Sequence, residues 1–100
     1  MKILVIGSTG FVGKNLLAAL SETEHEVVTC QRSTGTDVRE YPQIHKVIKE
    51  AQPDIIYNLA SHGGSVHYVK SNAAAVYNDN VQMSLNLYRA VSEVNTEIKI

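Results

Sequence analysis

The sequence predicts an α/β fold in which a doubly wound parallel sheet forms a single domain. Three observations predict it: short apolar runs near residues 3–6, 27–30 and 54–60, apolar positions at helical spacing between them, and a glycine-rich turn after the first run. Aliphatic and β-branched runs are typical of parallel strands buried on both faces. Right-handed crossovers would place a crevice at the carboxyl ends of the strands, where the strand order reverses.

The composition is that of an ordinary soluble globular protein. The chain has 100 residues, 44% hydrophobic and 19% charged, with a formal net charge of -1. This length allows one domain with a modest core, and the charge favours neither a nucleic-acid nor a membrane surface. The single cysteine, Cys30, lies in an apolar run, which favours a buried thiol and a reducing compartment. Since the first apolar run is too short for a signal peptide, we expect a cytoplasmic protein.

The first half of the chain alternates strand and helix. A strand at residues 3–6 leads through glycines into a helix whose apolar positions run from Phe11 to Leu20. A second strand is predicted at 27–30, followed by a polar turn at 31–36.

We expect a very short third strand at residues 37–38. Ile44, Val47 and Ile48 then follow at helical spacing until Pro53 blocks continuation of the helix.

The second half repeats the alternation once more. Residues 54–60 resume the strand pattern, and 61–65 form a loop with two glycines. Apolar positions between about 73 and 94 predict a long amphipathic helix. Residues 97–100 have the pattern of a fifth strand, so the predicted sheet is truncated just after that strand begins.

The turn after the first strand indicates phosphate binding. In such a turn Gly7 permits a sharp reversal, Gly10 lets the backbone approach a pyrophosphate, and Gly13 lets the helix lie close to the strand. The free N–H groups and the positive dipole end of the helix would face the phosphates. The alternative is a glycine turn without a ligand, but a preceding strand and a following helix favour a dinucleotide.

The end of the second strand favours NADP over NAD. A carboxylate there accepts hydrogen bonds from the adenosine ribose and repels a 2′-phosphate, whereas this chain has Gln31 and Arg32. The guanidinium of Arg32 can bind a phosphate. The alternative is that Arg32 is a solvated surface arginine.

The spacing of the three glycines, with two residues between each and the next, resembles the extended short-chain dehydrogenase/reductase family of epimerases, dehydratases and reductases. The resemblance covers essentially the whole chain. It implies a Rossmann fold, in which Asp37-Val38 meets the adenine edge and Asn80 supports the active site. The segment from Asn58 to Ser61 would line the ribose and pyrophosphate. Together, turn and resemblance assign to the cofactor Gly7, Thr9, Gly10, Phe11, Val12, Gly13, Gln31, Arg32, Ser33, Asp37, Val38, Leu59, Ala60, Ser61 and Asn80.

Several of these residues also have plain structural explanations. Asp37 could simply cap a turn, Asn80 could be an exposed helix residue, and Ser61 could be a loop hydroxyl. His62 and His67 do not predict a metal site, because they lack a third ligand and a helical spacing. We expect instead that His62 and Ser65 lie near a substrate.

The family's catalytic pair is missing from residues 1–100. It consists of a tyrosine and a lysine four residues later, and none of the five tyrosines here has that partner. We therefore expect residues 1–100 to be the NAD(P)-binding, amino-terminal part of a longer nucleotide-sugar epimerase, dehydratase or reductase. The alternatives are a non-catalytic dinucleotide sensor or partner subunit, and a partly folded product of truncation. The resemblance also implies a possible homodimer through the 73–94 helix.

Overall fold

The computed structural model describes all residues from 1 to 100. Three strands alternate with four α-helices and one turn of 3₁₀ helix. In chain order they are β1 (Lys2–Ile6), α1 (Phe11–Leu20), β2 (Glu26–Cys30), the 3₁₀ turn (Arg32–Thr34), α2 (Tyr41–Ala51), β3 (Ile55–Asn58), α3 (Val66–Ser71) and α4 (Ala73–Val94).

The strands form a parallel sheet in the order β2-β1-β3. Ile3 of β1 pairs with Val27 on one side and with Ile55 on the other. The chain moves from β1 to β2 in one direction and crosses back to β3 in the other, so right-handed crossovers place α1 on one face and α2 on the opposite face. The order therefore reverses at β1, and the predicted doubly wound α/β class is confirmed.

The main core lies between the sheet and the pair formed by α2 and α4. Leu4 and Ile6 of β1 are fully buried on this face. Ile3 and Val5, which alternate with them, are buried on the face that α1 covers. The core cluster consists of Leu4, Ile6, Cys30, Val38, Ile44, Ile48, Ile56, Met83, Leu87, Ala90, Val91 and Ile98.

The single cysteine is part of this core, as its apolar run predicts. Cys30 ends β2 and is 4% exposed. Burial raises the pKa of its thiol to about 11, because the apolar surroundings disfavour the thiolate. The thiol therefore stays protonated and packs as a small apolar side chain.

The prediction of a strand at residues 37–38 is wrong. The amide of Asp37 donates to the side chain of Gln43 at 2.8 Å instead of to a neighbouring strand. Val38 is buried, but it belongs to the turn that leads into α2. Its burial explains the apolar signal, and the turn explains why no strand forms.

The last two predicted strands are shorter than expected. β3 covers Ile55–Asn58. It ends there because the chain turns, with the amide of Ala60 donating to the Asn58 side chain at 3.2 Å. The segment 97–100 forms only a single parallel bridge, between Lys99 and Ile55. The sheet therefore has three strands and one bridge, and not four strands and the start of a fifth.

Two short helical segments were not predicted. The 3₁₀ turn falls inside the expected 31–36 turn, and α3 precedes the long helix. Ser65 caps α3, since its hydroxyl oxygen accepts the amide of Tyr68 at 3.1 Å. Neither segment is long enough to show a helical apolar period. None of the helices has both the length and the apolar character needed to span a bilayer.

Candidate functional site

A cleft of about 460 Å³ opens at the carboxyl ends of the strands, and we call it the carboxyl-end cleft. It lies where the strand order reverses, which is the usual ligand position in open α/β sheets. The lining residues are Ile6, Gly7, Thr9, Gly10, Gln31, Arg32, Thr36, Asp37, Val38, Arg39, Leu59, Ala60, Ser61, His62, Gly63, Asp79 and Met83.

The first glycine of the turn joins two loops of the cleft. Gly7 has a φ of 77°, in the left-handed region that favours glycine. A Cβ atom on Gly7 would lie 2.8 Å from the backbone nitrogen of Ala60. The turn after β1 and the loop after β3 therefore touch through their backbones, and any side chain at Gly7 would separate them.

The space around Gly13 is crowded, whereas the space around Gly10 is open. A Cβ on Gly13 would lie 2.6 Å from the backbone of Ser8, so only glycine lets α1 begin directly on the turn. A Cβ on Gly10 would meet no atom within 4 Å. The space beside Gly10 is therefore open cleft, and nothing in the fold itself requires a glycine there.

The start of α1 has donors and no negative charge to offset them. The amides of Thr9, Gly10 and Phe11 make no backbone hydrogen bond. Gly10 is the N-cap and provides no side-chain cap, and the first turn holds no acidic residue. Such a helix start attracts anions through its N–H groups and its dipole. The residues present thus fit the pyrophosphate of a dinucleotide.

Gln31 and Arg32 lie at the end of β2, where Gln31 is hydrogen-bonded and Arg32 forms no ion pair. The hydroxyl of Ser8 donates to Oε1 of Gln31 at 2.6 Å, which ties Gln31 to the glycine turn. Arg32 is exposed and forms no ion pair, although it lines the cleft. Its guanidinium is therefore available to an anionic ligand.

Arg39 is already paired with two carboxylates. Its Nη2 lies 2.8 Å from Oδ2 of Asp37, and its Nη1 lies 3.3 Å from Oδ2 of Asp79. The hydrogen bond from Arg39 holds the pKa of Asp37 below its usual range, and the charge of Arg32 adds to this effect. Asp37 in turn raises the pKa of Arg39. This end of the cleft is thus charged and internally bonded.

Asp79 also reaches the loop after β3. The same oxygen, Oδ2, lies 2.9 Å from Nδ1 of His62. On the other side of the ring, Nε2 of His62 lies 2.7 Å from the hydroxyl of Tyr68. One carboxylate of α4 therefore connects Arg39 with His62, and through His62 it connects with α3.

Asn80 fixes the backbone of the same loop. Its Oδ1 accepts the amide of His62 at 2.8 Å, and its Nδ2 donates to the carbonyl of His62 at 2.9 Å. A second bond runs from Nδ2 to the carbonyl of Val76 in α4. Asn80 thus lies behind the loop and positions it without lining the cleft.

Most of the predicted cofactor residues do line the cleft: Gly7, Thr9, Gly10, Gln31, Arg32, Asp37, Val38, Leu59, Ala60 and Ser61. Five do not. Phe11 and Val12 are 84% and 60% exposed at the start of α1, and Ser33 is exposed beside the cleft. Gly13 is buried beneath the turn, and Asn80 lies behind the loop.

Sequence reasoning missed Arg39 and Asp79. His62 was expected near a substrate, and it does line the cleft, whereas Ser65 serves as the cap of α3. Within the sequence Arg39 and Asp79 are 40 positions apart. No local motif links residues at that separation. The only signal in the sequence was that each charged residue stands next to a residue assigned to the cofactor, Arg39 after Val38 and Asp79 before Asn80. No group of three or more His, Cys, Asp or Glu side chains comes together in an arrangement that could hold a metal ion.

The parallel sheet, the helices on both of its faces and the glycine turn at the end of β1 define a Rossmann-type protein. A model of the NAD dependent epimerase/dehydratase family matches residues 3–99, and the chain belongs to this family. The family is the extended branch of the short-chain dehydrogenases and reductases, and its members bind NAD or NADP. The resemblance found in the sequence is thereby confirmed.

The names of individual relatives refer to nucleotide sugars. A GDP-L-colitose synthase of Yersinia pseudotuberculosis is 34% identical over 95 residues, which cover 95% of this chain and 30% of the relative. The chain spans about a third of the length of the curated relatives that it matches.

Solved structures agree on the fold. The UDP-glucose 4-epimerase of Thermus thermophilus in complex with NAD has a TM-score of 0.84 at 20% identity, covering 94% of this chain and 34% of that one. A GDP-mannoheptose C4 reductase of Campylobacter jejuni with NADP bound has a TM-score of 0.80 at 22% identity, covering 94% and 30%. The two differ in cofactor, so fold similarity does not select one.

Proposed function

We propose that this chain is the cofactor-binding portion of an NADP-dependent enzyme that acts on a nucleotide sugar. The observation that carries the proposal is the start of α1, where open space beside Gly10 meets unbonded amides and an uncompensated helix dipole. This arrangement suits a pyrophosphate. The names of the relatives support the substrate class, with a nucleoside diphosphate sugar as the expected ligand next to the cofactor.

Each part of the cofactor has a proposed place in the carboxyl-end cleft. The amides from Thr9 to Phe11 would hold the pyrophosphate, and the loop from Leu59 to Ser61 would lie along the ribose. Asp37 and Val38 would border the adenine. When bound, the cofactor would donate or accept a hydride, and these protein residues would hold and orient the cofactor.

The preference for NADP rests on charge. Gln31 is neutral, so it would not repel a 2′-phosphate at the end of β2. Arg32 is exposed, lines the cleft and has no carboxylate partner, so it can form a charge-assisted bond to that phosphate. The nearby carboxylate of Asp37 is already engaged by Arg39 and does not compete for Arg32 through a hydrogen bond.

Calorimetric titrations with NADP and with NAD test this proposal. We expect NADP to bind more tightly, and Arg32→Gln to weaken NADP about tenfold while leaving NAD nearly unchanged, since the lost bond is to a charged group. Arg89→Gln is the matched control, because Arg89 is an exposed arginine that does not line the cleft. Tighter binding of NAD would contradict the cofactor preference, and no binding of either dinucleotide would contradict the function.

We further propose that the outer face of α4 pairs with a second copy of this chain. An apolar hollow of about 810 Å³ runs along this face, lined by residues of α3 and α4 such as Val69, Tyr77 and Val81. Leu85 on the same face is 60% exposed. Equilibrium sedimentation would show a dimer that Leu85→Glu converts to a monomer; a wild-type monomer at high concentration would contradict it.

A further inference from the structure

We propose that Asp79 is a positioning residue of the carboxyl-end cleft, which holds Arg39 and His62 in place for the bound dinucleotide. This inference rests on the proposed function. It goes beyond that function because it gives a role to Asp79, which the sequence motifs did not assign to the site. Asp79 lies in α4, and both of its partners lie in loops that line the cleft.

The geometry makes Asp79 the shared anchor of two loops. Its Oδ2 is 3.3 Å from Nη1 of Arg39, in the loop after β2, and 2.9 Å from Nδ1 of His62, in the loop after β3. Its side chain is 20% exposed, so water competes weakly for these bonds. The two loops share no hydrogen bond with each other at this point and are joined through α4.

Asp79 also determines which nitrogen of His62 carries the proton. An ionised carboxylate only accepts hydrogen bonds, so Nδ1 of a neutral His62 must be the donor. Nε2 is then an acceptor, and the Tyr68 hydroxyl, 2.7 Å away, must donate to it. Asp79 therefore fixes both the orientation and the tautomer of the ring, and through the ring it attaches the short helix α3.

Charge alone predicts the opposite effect of Asp79 on binding. A carboxylate that lines a cleft for an anionic dinucleotide repels the ligand, so Asp79→Asn would tighten binding if electrostatics decided. If Asp79 acts by positioning, the same substitution loosens Arg39 and His62 and weakens binding. The sign of the change separates the two explanations.

The test compares the chain with its Asp79→Asn variant. Calorimetric titration with NADP should show about fivefold weaker binding by the variant, less than the full loss of a hydrogen bond to a charged group, because Asp79 acts on the ligand only through Arg39 and His62. Glu24→Gln is the matched control, since it removes the same charge from an exposed residue just before β2, at the opposite end of the strands, and its affinity should stay unchanged.

A second readout needs no dinucleotide. In ¹⁵N spectra of the free protein at a pH where His62 is neutral, Nδ1 should be protonated and Nε2 unprotonated in the wild type, with the two tautomers mixed in Asp79→Asn. An Nε2-protonated ring in the wild type would overturn the inference. So would unchanged or tighter NADP binding by Asp79→Asn while the wild type binds. Failure of the wild type to bind any dinucleotide would overturn the proposed function and this inference with it.

Discussion

The two ends of the carboxyl-end cleft are built in different ways. At one end the turn from Gly7 to Gly13 is made of consecutive residues, and its shape depends on missing Cβ atoms and free backbone amides. At the other end Arg39, His62 and Asp79 come from three separate segments and are joined by side-chain bonds. The first end is therefore fixed by sterics and the second by charge, so the two ends should respond to substitution in different ways.

The largest effect is expected where the turn is most crowded. Gly13→Val would place a Cβ 2.6 Å from the backbone of Ser8, so α1 could not start where it does. We expect the free energy of unfolding to fall by about 3 kcal/mol, as for severe overpacking. Urea denaturation measures it. Gly63→Ala is the control, since an added Cβ there meets nothing within 4 Å. Equal stability of the two variants would show that the turn is not sterically fixed.

The next effect separates binding from folding at the same end. Gly10→Val adds a side chain where the fold leaves open space, so the unfolding free energy should change by less than about 1 kcal/mol. The branched side chain would occupy the proposed pyrophosphate position, and NADP binding should become undetectable by calorimetry. If Gly10→Val bound NADP as the wild type does, the phosphates would have to lie elsewhere.

The smallest effect belongs to the charged end and depends on pH. Arg39 lowers the pKa of Asp37 in the folded protein, so their bond adds stability at neutral pH and loses it as the pH falls through that lowered pKa. The side chains of Asp37 and Arg39 are 23% and 35% exposed, so solvent screens the pair and we expect only a small change in the unfolding free energy.

The measurement for this pair is urea denaturation at neutral pH and at a series of acidic pH values that extends below the ordinary pKa of an aspartate, toward the lowered pKa of Asp37. The wild type should lose more unfolding free energy on acidification than Asp37→Asn, because the variant has no carboxylate at position 37 to titrate. Glu93, whose pKa is also lowered, titrates in both proteins and cancels in the difference. Equal losses would show that the pair does not stabilise the fold.

The same contrast explains what could be predicted from the sequence. The glycine turn is contiguous, and sterics alone justify Gly7 and Gly13, so the turn and the fold class around it were predictable. The partners of Asp79 lie 40 and 17 positions away, and only the tertiary fold brings them together. The short strand predicted at 37–38 failed because Val38 is buried in a turn, where burial gives the same apolar signal as a strand.

We expect a dinucleotide to bind with its pyrophosphate at the start of α1 and its adenosine end near Arg32. The most direct test is to follow backbone amide and arginine side-chain NMR signals while NADP is added. The largest shifts are expected at the amides of Thr9, Gly10 and Phe11 and at the guanidinium of Arg32. Shifts confined to the outer face of α4, or none at all, would contradict it.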